Sequence, residues 1–125
     1  METKKKTVEE LDEALTCFVG TFAYHIHQTG DLKLLLTDGC DFVRREAESY
    51  WLFDLILAHQ MDKTVKELYH QVWRLKKQSN ETWQLTCEDG NANLYVAQKI
   101  QFSDFPLSEI TIWIIDNVAL LPSEY

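Results

Sequence analysis

Near residue 63 the hydrophobic period changes from helical to alternating, and that change limits the fold more than any other feature of the chain. Beyond it, Tyr69, Gln71, Trp73 and Leu75 alternate with His70, Val72, Arg74 and Lys76. Trp83, Leu85 and Cys87 alternate with Thr82, Gln84, Thr86 and Glu88, and Leu94 to Phe102 alternates in the same way. Turn clusters, Gln78-Ser79-Asn80-Glu81 and Asp89-Gly90-Asn91-Ala92-Asn93, separate the three runs. Links that short predict an antiparallel meander. Ile110 to Ile115 is β-branched and apolar on both faces, as an interior strand requires. Asp116-Asn117 then makes a two-residue turn into Val118–Leu121, and Pro122 ends the sheet before a short tail.

Before the change, apolar residues recur every three or four positions. Thr7 and Glu10 form a capping box, and Val8, Leu11, Leu15 and Phe18 share a stripe, predicting a helix over 8–19 that stops at Gly20. Phe22 to His27 and Leu32 to Leu36 predict two short strands around a Gly30-Asp31 turn. Thr37-Asp38-Gly39 caps a second helix running from about Cys40 to His59. Its second half, from Tyr50 to Ala58, is apolar nearly all round, which predicts burial on most sides. Helices first and strands afterwards are the α+β pattern. The expectation is an N-terminal helix and one long, mostly buried central helix packed on an antiparallel sheet of about four to six strands. Residues 7–125 read as a single domain, preceded by a disordered basic leader over 1–6.

Composition narrows function mainly by exclusion. The 12 basic and 20 acidic residues give a net charge of −8, which disfavours nucleic acid as a partner. Three cysteines (Cys17, Cys40, Cys87) without a C-x-x-C spacing argue against a disulfide framework and for a reduced, cytoplasmic setting. The longest apolar run is interrupted by Asp54 and is too short to span a bilayer, so no membrane partner is expected.

Few residues stand out as carriers of chemistry. Asp54 lies inside the apolar half-helix, where a carboxylate must be paired or protonated; it is the candidate catalytic acid or base, against a structural role in a buried network. His25 and His27 share one face of a strand and are candidate metal ligands, with His59 or His70 as a third. The Asp89 loop lacks the closing glutamate of a calcium loop and reads as a hairpin turn. Isolated glycines make no phosphate-cradling loop, and no nucleophile motif occurs, so no cofactor is expected. Trp51, Trp73 and Trp113 are candidate interface residues, because aromatics beyond core needs anchor contacts between chains.

Several blocks together resemble a known family. They are Phe18-x-Gly20-Thr21-x-x-Tyr24, Leu36-Thr37-Asp38-Gly39, Tyr50-Trp51-Leu52-x-Asp54, Val72-Trp73-Arg74-Leu75, Cys87-Glu88-Asp89-Gly90-Asn91, Gln98-Lys99-Ile100, Phe102-x-Asp104-Phe105-Pro106-Leu107 and Leu120-Leu121-Pro122-Ser123-Glu124-Tyr125. The chain is similar in these to an uncharacterised family of short bacterial proteins, associated with cyanobacteria and with plasmids and other mobile elements. The resemblance implies a stand-alone domain of unknown function and carries over no catalytic residue. Three functions follow in order of preference. The first is a binding or regulatory module acting through protein contacts as a homo-oligomer, specifically a homodimer. The second is a small hydrolase-like or metal-assisted enzyme using Asp54 with a histidine. The third is an acidic decoy mimicking nucleic acid.

Overall fold

A computed structural model describes residues 7–125; the expected leader over 1–6 lies outside the described residues. The chain forms helix α1 (Val8–Leu15), strands β1 (His25–Thr29) and β2 (Leu32–Leu36), and helices α2 (Asp38–Glu46), α3 (Tyr50–His59) and α4 (Lys63–Lys66). Strands β3 (His70–Lys77), β4 (Trp83–Glu88), β5 (Leu94–Ile100), β6 (Glu109–Ile115) and β7 (Val118–Leu120) follow, and a 3₁₀ turn spans Pro122–Glu124. The α+β class is as expected, and β3-β4-β5 is the predicted meander.

The sheet departs from expectation in two respects. It has seven strands, in the order β1-β2-β7-β6-β3-β4-β5. It is also mixed, because β2 pairs with β7 in parallel, Leu35 opposite Val118 and Leu36 opposite Ala119. That parallel pair joins the N-terminal hairpin to the C-terminal one. No turn connects the two strands, so no local signal announces the pairing.

Alternation sorts the strand residues between two faces. One face carries Leu34, Leu36, Ala119, Ile114, Ile112, Trp73, Leu75, Leu85 and Cys87, all buried. With Leu52, Phe53, Ile56 and Leu57 of α3 and Val43 of α2 they make a single core. The other face carries Ile26, Leu35, Val118, Ile115, Trp113, Val72 and Arg74, linked by the register from β1 to β4.

The long central helix is in fact two helices. Helix α2 ends at Ala47 because Glu48 takes a left-handed conformation (φ 49°). The Glu48 amide then donates to the Arg45 carbonyl (3.3 Å) and the Ser49 amide to the Arg44 carbonyl (2.9 Å), the paired bonds of a Schellman cap. Ser49, fully buried, donates its hydroxyl to the Val43 carbonyl at 3.0 Å. Helix α1 is shorter than predicted, although Thr7 and Glu10 form the expected capping box. Residues 22–24 precede β1 instead of belonging to it, and Phe22 is fully exposed.

The tail after Pro122 is docked. Glu124 accepts from the Thr37 hydroxyl (2.6 Å), the Gly39 amide (3.1 Å) and the Leu121 amide (2.9 Å). A carboxylate there meets the positive end of the α2 dipole. A Cβ on Gly39 would lie 2.6 Å from Glu124 Oε1, so a larger residue there would push the Glu124 carboxylate aside.

Candidate functional site

Strand β1 brings His25 and His27 against the start of α2 and the middle of α3. His25 Nε2 lies 2.9 Å from Asp38 Oδ1, and His25 Nδ1 lies 3.6 Å from Asp41 Oδ2. His27, nearly buried, places Nε2 2.7 Å from Asp54 Oδ1 and Nδ1 3.1 Å from Arg44 Nη1. A guanidinium only donates, so His27 Nδ1 accepts and the ring proton sits on Nε2, donated to Asp54. The Thr29 hydroxyl gives Asp54 a second hydrogen bond at 3.2 Å.

Asp41 and Arg44 are the centre of this network. Asp41 Oδ1 accepts from Arg44 Nη2 (2.7 Å) and Oδ2 from Arg45 Nε (2.9 Å). Burial pushes the Asp41 carboxyl up, but hydrogen bonds from Arg44 and Arg45 more than offset it and leave the group below its ordinary value. The Phe22 backbone amide (2.8 Å), helped by His25, likewise holds Asp38 low. The Arg44 guanidinium also covers the Tyr50 ring at 5.2 Å, while its buried Nε has no partner among the described residues.

The sequence candidates fare unevenly. Asp54 is not buried: its side chain is 54 % exposed, because it projects from α3 beside β1 instead of into the core. Its partners are His27 and Thr29, not a tryptophan, a tyrosine or sheet-end backbone. His25 and His27 face the same side, yet each turns to its own carboxylate. His59 bonds to Gln98 Oε1 (2.8 Å) and His70 packs edge-on to Trp113. Among the described residues no three His, Cys, Asp or Glu side chains are grouped to hold a metal ion. Asp41 and Arg44 were not among the candidate site residues of the sequence, although their i, i+3 spacing on a helix is legible there.

Two of the three thiols are withdrawn from chemistry, Cys17 being the exposed one. Burial pushes Cys40 well above its ordinary value and Cys87 up to about 12, so neither is a thiolate near neutrality. Of the interface candidates, Trp73 is 1 % exposed and donates Nε1–H to Gln71, which removes it from any surface. Trp51 packs partly buried against the core. Trp113 alone lies on the uncovered sheet face, half-buried, with the exposed Tyr125 ring edge-on at 5.6 Å.

A mixed seven-stranded sheet, helices on one face and a histidine–carboxylate network at one end define the molecule as a one-sided α+β domain. Residues 9–125 match the model of a family of unknown function (DUF6876), and the chain belongs to that family. No curated protein and no solved structure matches it.

Proposed function

We propose that the protein is a binding module that acts through protein contacts and pairs with a second copy across the uncovered face of its sheet. One observation carries this reading: the face opposite the helices holds a continuous apolar strip. Ile26 (59 % exposed), Leu35 (36 %), Val118, Ile115 and Trp113 follow one another through the register of β1, β2, β7 and β6. A strip of uncharged side chains is self-complementary, as a two-fold contact requires. Elsewhere a chain of net charge −8 repels its own copy, which makes this strip the least costly meeting place. Trp113 and Tyr125 supply the aromatic anchors that such contacts favour. The free state of Cys17, Cys40 and Cys87 supports a reducing, cytoplasmic setting. No helix among the described residues is long and apolar enough to cross a membrane.

Native mass spectrometry tests the reading. Wild-type protein is expected as a dimer, and Leu35→Glu and Ile26→Glu as folded monomers at the same concentration. A wild-type monomer at every concentration overturns it. A dimer that survives both substitutions moves the contact to another face.

The 2.7 Å contact between Asp54 and His27 favours a second reading, an enzyme that uses this pair. Against it stands the occupancy of the ring: Nε2 donates to Asp54 and Nδ1 accepts from Arg44, so neither nitrogen faces a substrate. The pair ties β1 to α2 and α3 more readily than it moves a proton.

A further inference from the structure

Between the end of α3, helix α4, the start of β3 and the β6–β7 turn lies a cavity of about 700 Å³. Gln60, Gln71, Lys66, Tyr69, Ile114 and Asn117 are among its walls. Two of these are polar side chains taken almost wholly out of water: Gln60 is 6 % and Gln71 2 % exposed. Buried amides need their hydrogen bonds accounted for one by one.

The two amides are joined head to head. Gln60 Nε2 donates to Gln71 Oε1 (2.8 Å), and Gln71 Nε2 donates to Gln60 Oε1 (2.9 Å). Their orientation is fixed by groups that cannot reverse. The Trp73 indole only donates, and it reaches Gln71 Oε1 at 2.8 Å. The Ile56 carbonyl only accepts, and it takes the second Gln60 Nε2 hydrogen at 3.2 Å. One edge of the amide pair is therefore saturated by the protein.

The opposite edge is not. One hydrogen of Gln71 Nε2 and one lone pair of Gln60 Oε1 remain, with no partner among the described residues. In a reciprocal amide pair these two lie next to each other on one edge and splay outward, so a single ligand edge meets both through bent hydrogen bonds. We propose that this edge is a recognition site, in the cavity wall, for a small molecule bearing a cis-amide (lactam) edge, as in a uracil-type base. Such a ligand offers a carbonyl to the Gln71 N–H and an N–H to the Gln60 oxygen in one plane. An ionised carboxylate does not fit, since it has no proton for Gln60 and sets oxygen against oxygen. Leaving the edge unmatched carries a desolvation cost that a complementary ligand removes. The apolar Ile114 wall beside it suits the flat face of a base.

The test uses the full-length protein labelled with ¹⁵N in its glutamine side chains, titrated with uracil and, separately, with 1,3-dimethyluracil. The dimethyl compound keeps the carbonyls and lacks the N–H donors. The expected result is a saturable shift of the Gln60 and Gln71 side-chain amide signals with uracil and none with the dimethyl compound. Gln71→Glu keeps an acceptor for Trp73 and loses the free N–H, so where it folds it is expected to bind uracil at least tenfold more weakly. Unmoved amide signals at saturating uracil, or equal shifts with both compounds, overturn the proposal, and both outcomes are read on wild-type protein alone.

Discussion

Asp41 and Asp54 belong to the same network and differ in what surrounds them. The Asp41 side chain is 7 % exposed and binds two guanidiniums; that of Asp54 is 54 % exposed and binds a histidine and a threonine. Asp41→Asn leaves Arg44, itself mostly buried, without its carboxylate and is expected to destabilise the fold by roughly 3 kcal/mol. Asp54→Asn, at a carboxylate that is half-exposed, should cost no more than about 1 kcal/mol. The Asp41 carboxyl lies lower in the folded chain than its ordinary 3.8, so its contribution is present above that value and is lost as pH falls through the folded one. Urea midpoints for wild type should therefore fall below about pH 4, and the Asp41→Asn curve should be lower near neutrality and converge with wild type in acid. Parallel curves would show that Asp41 does not drive the acid limb. The sequence singled out Asp54 because it interrupts an apolar run. It passed over Asp41 because a carboxylate in the first turn of a helix is commonplace, and only the fold brings His25 beside it.

Helix boundaries show which local rules could be read ahead of the structure. Thr7 with Glu10, and Thr37 at the start of α2, cap their helices as the side-chain chemistry predicts. The break between α2 and α3 was hidden, because its left-handed residue is Glu48 where a glycine would have announced the stop. Ser49 secures that break from inside, fully buried and bonded to the Val43 carbonyl. Ser49→Ala is expected to cost about 1 kcal/mol. In a domain of this size that lowers the calorimetric Tm by roughly 4 °C. The exposed Ser79→Ala should leave Tm unchanged, and an equal effect of the two would remove the special role of Ser49.

At the scale of the whole molecule, the parallel β2–β7 pair decides whether the two halves of the chain behave as one body. Alternation, short apolar runs and turn residues revealed the strands themselves, since all three signals are local. They could not reveal which edges meet, because Leu35 and Val118 are distant in sequence and no turn chemistry links them. Across that seam the Leu35 amide donates to the Asn117 carbonyl (3.2 Å) and the Thr37 amide to the Ala119 carbonyl (3.0 Å). The Asn117 side chain adds a bond to the Lys33 carbonyl, and Glu124 reaches back to Thr37 and Gly39. The core crosses the seam too, since Leu34 and Leu36 share it with Ile112, Ile114 and Trp73. A seam bonded on the backbone, through side chains and in the core should not open by itself. In native-state hydrogen exchange, the Leu35 and Thr37 amides are expected to open with the same free energy as those of Trp73 and Ile112 in the paired centre of β3 and β6. If the seam amides exchange through a lower-energy opening, the N-terminal hairpin and its helices are a separate cooperative unit. The sheet face spanning the seam would then be jointed, and a partner that needs the whole strip from Ile26 to Trp113 would have to hold the two halves together as it binds.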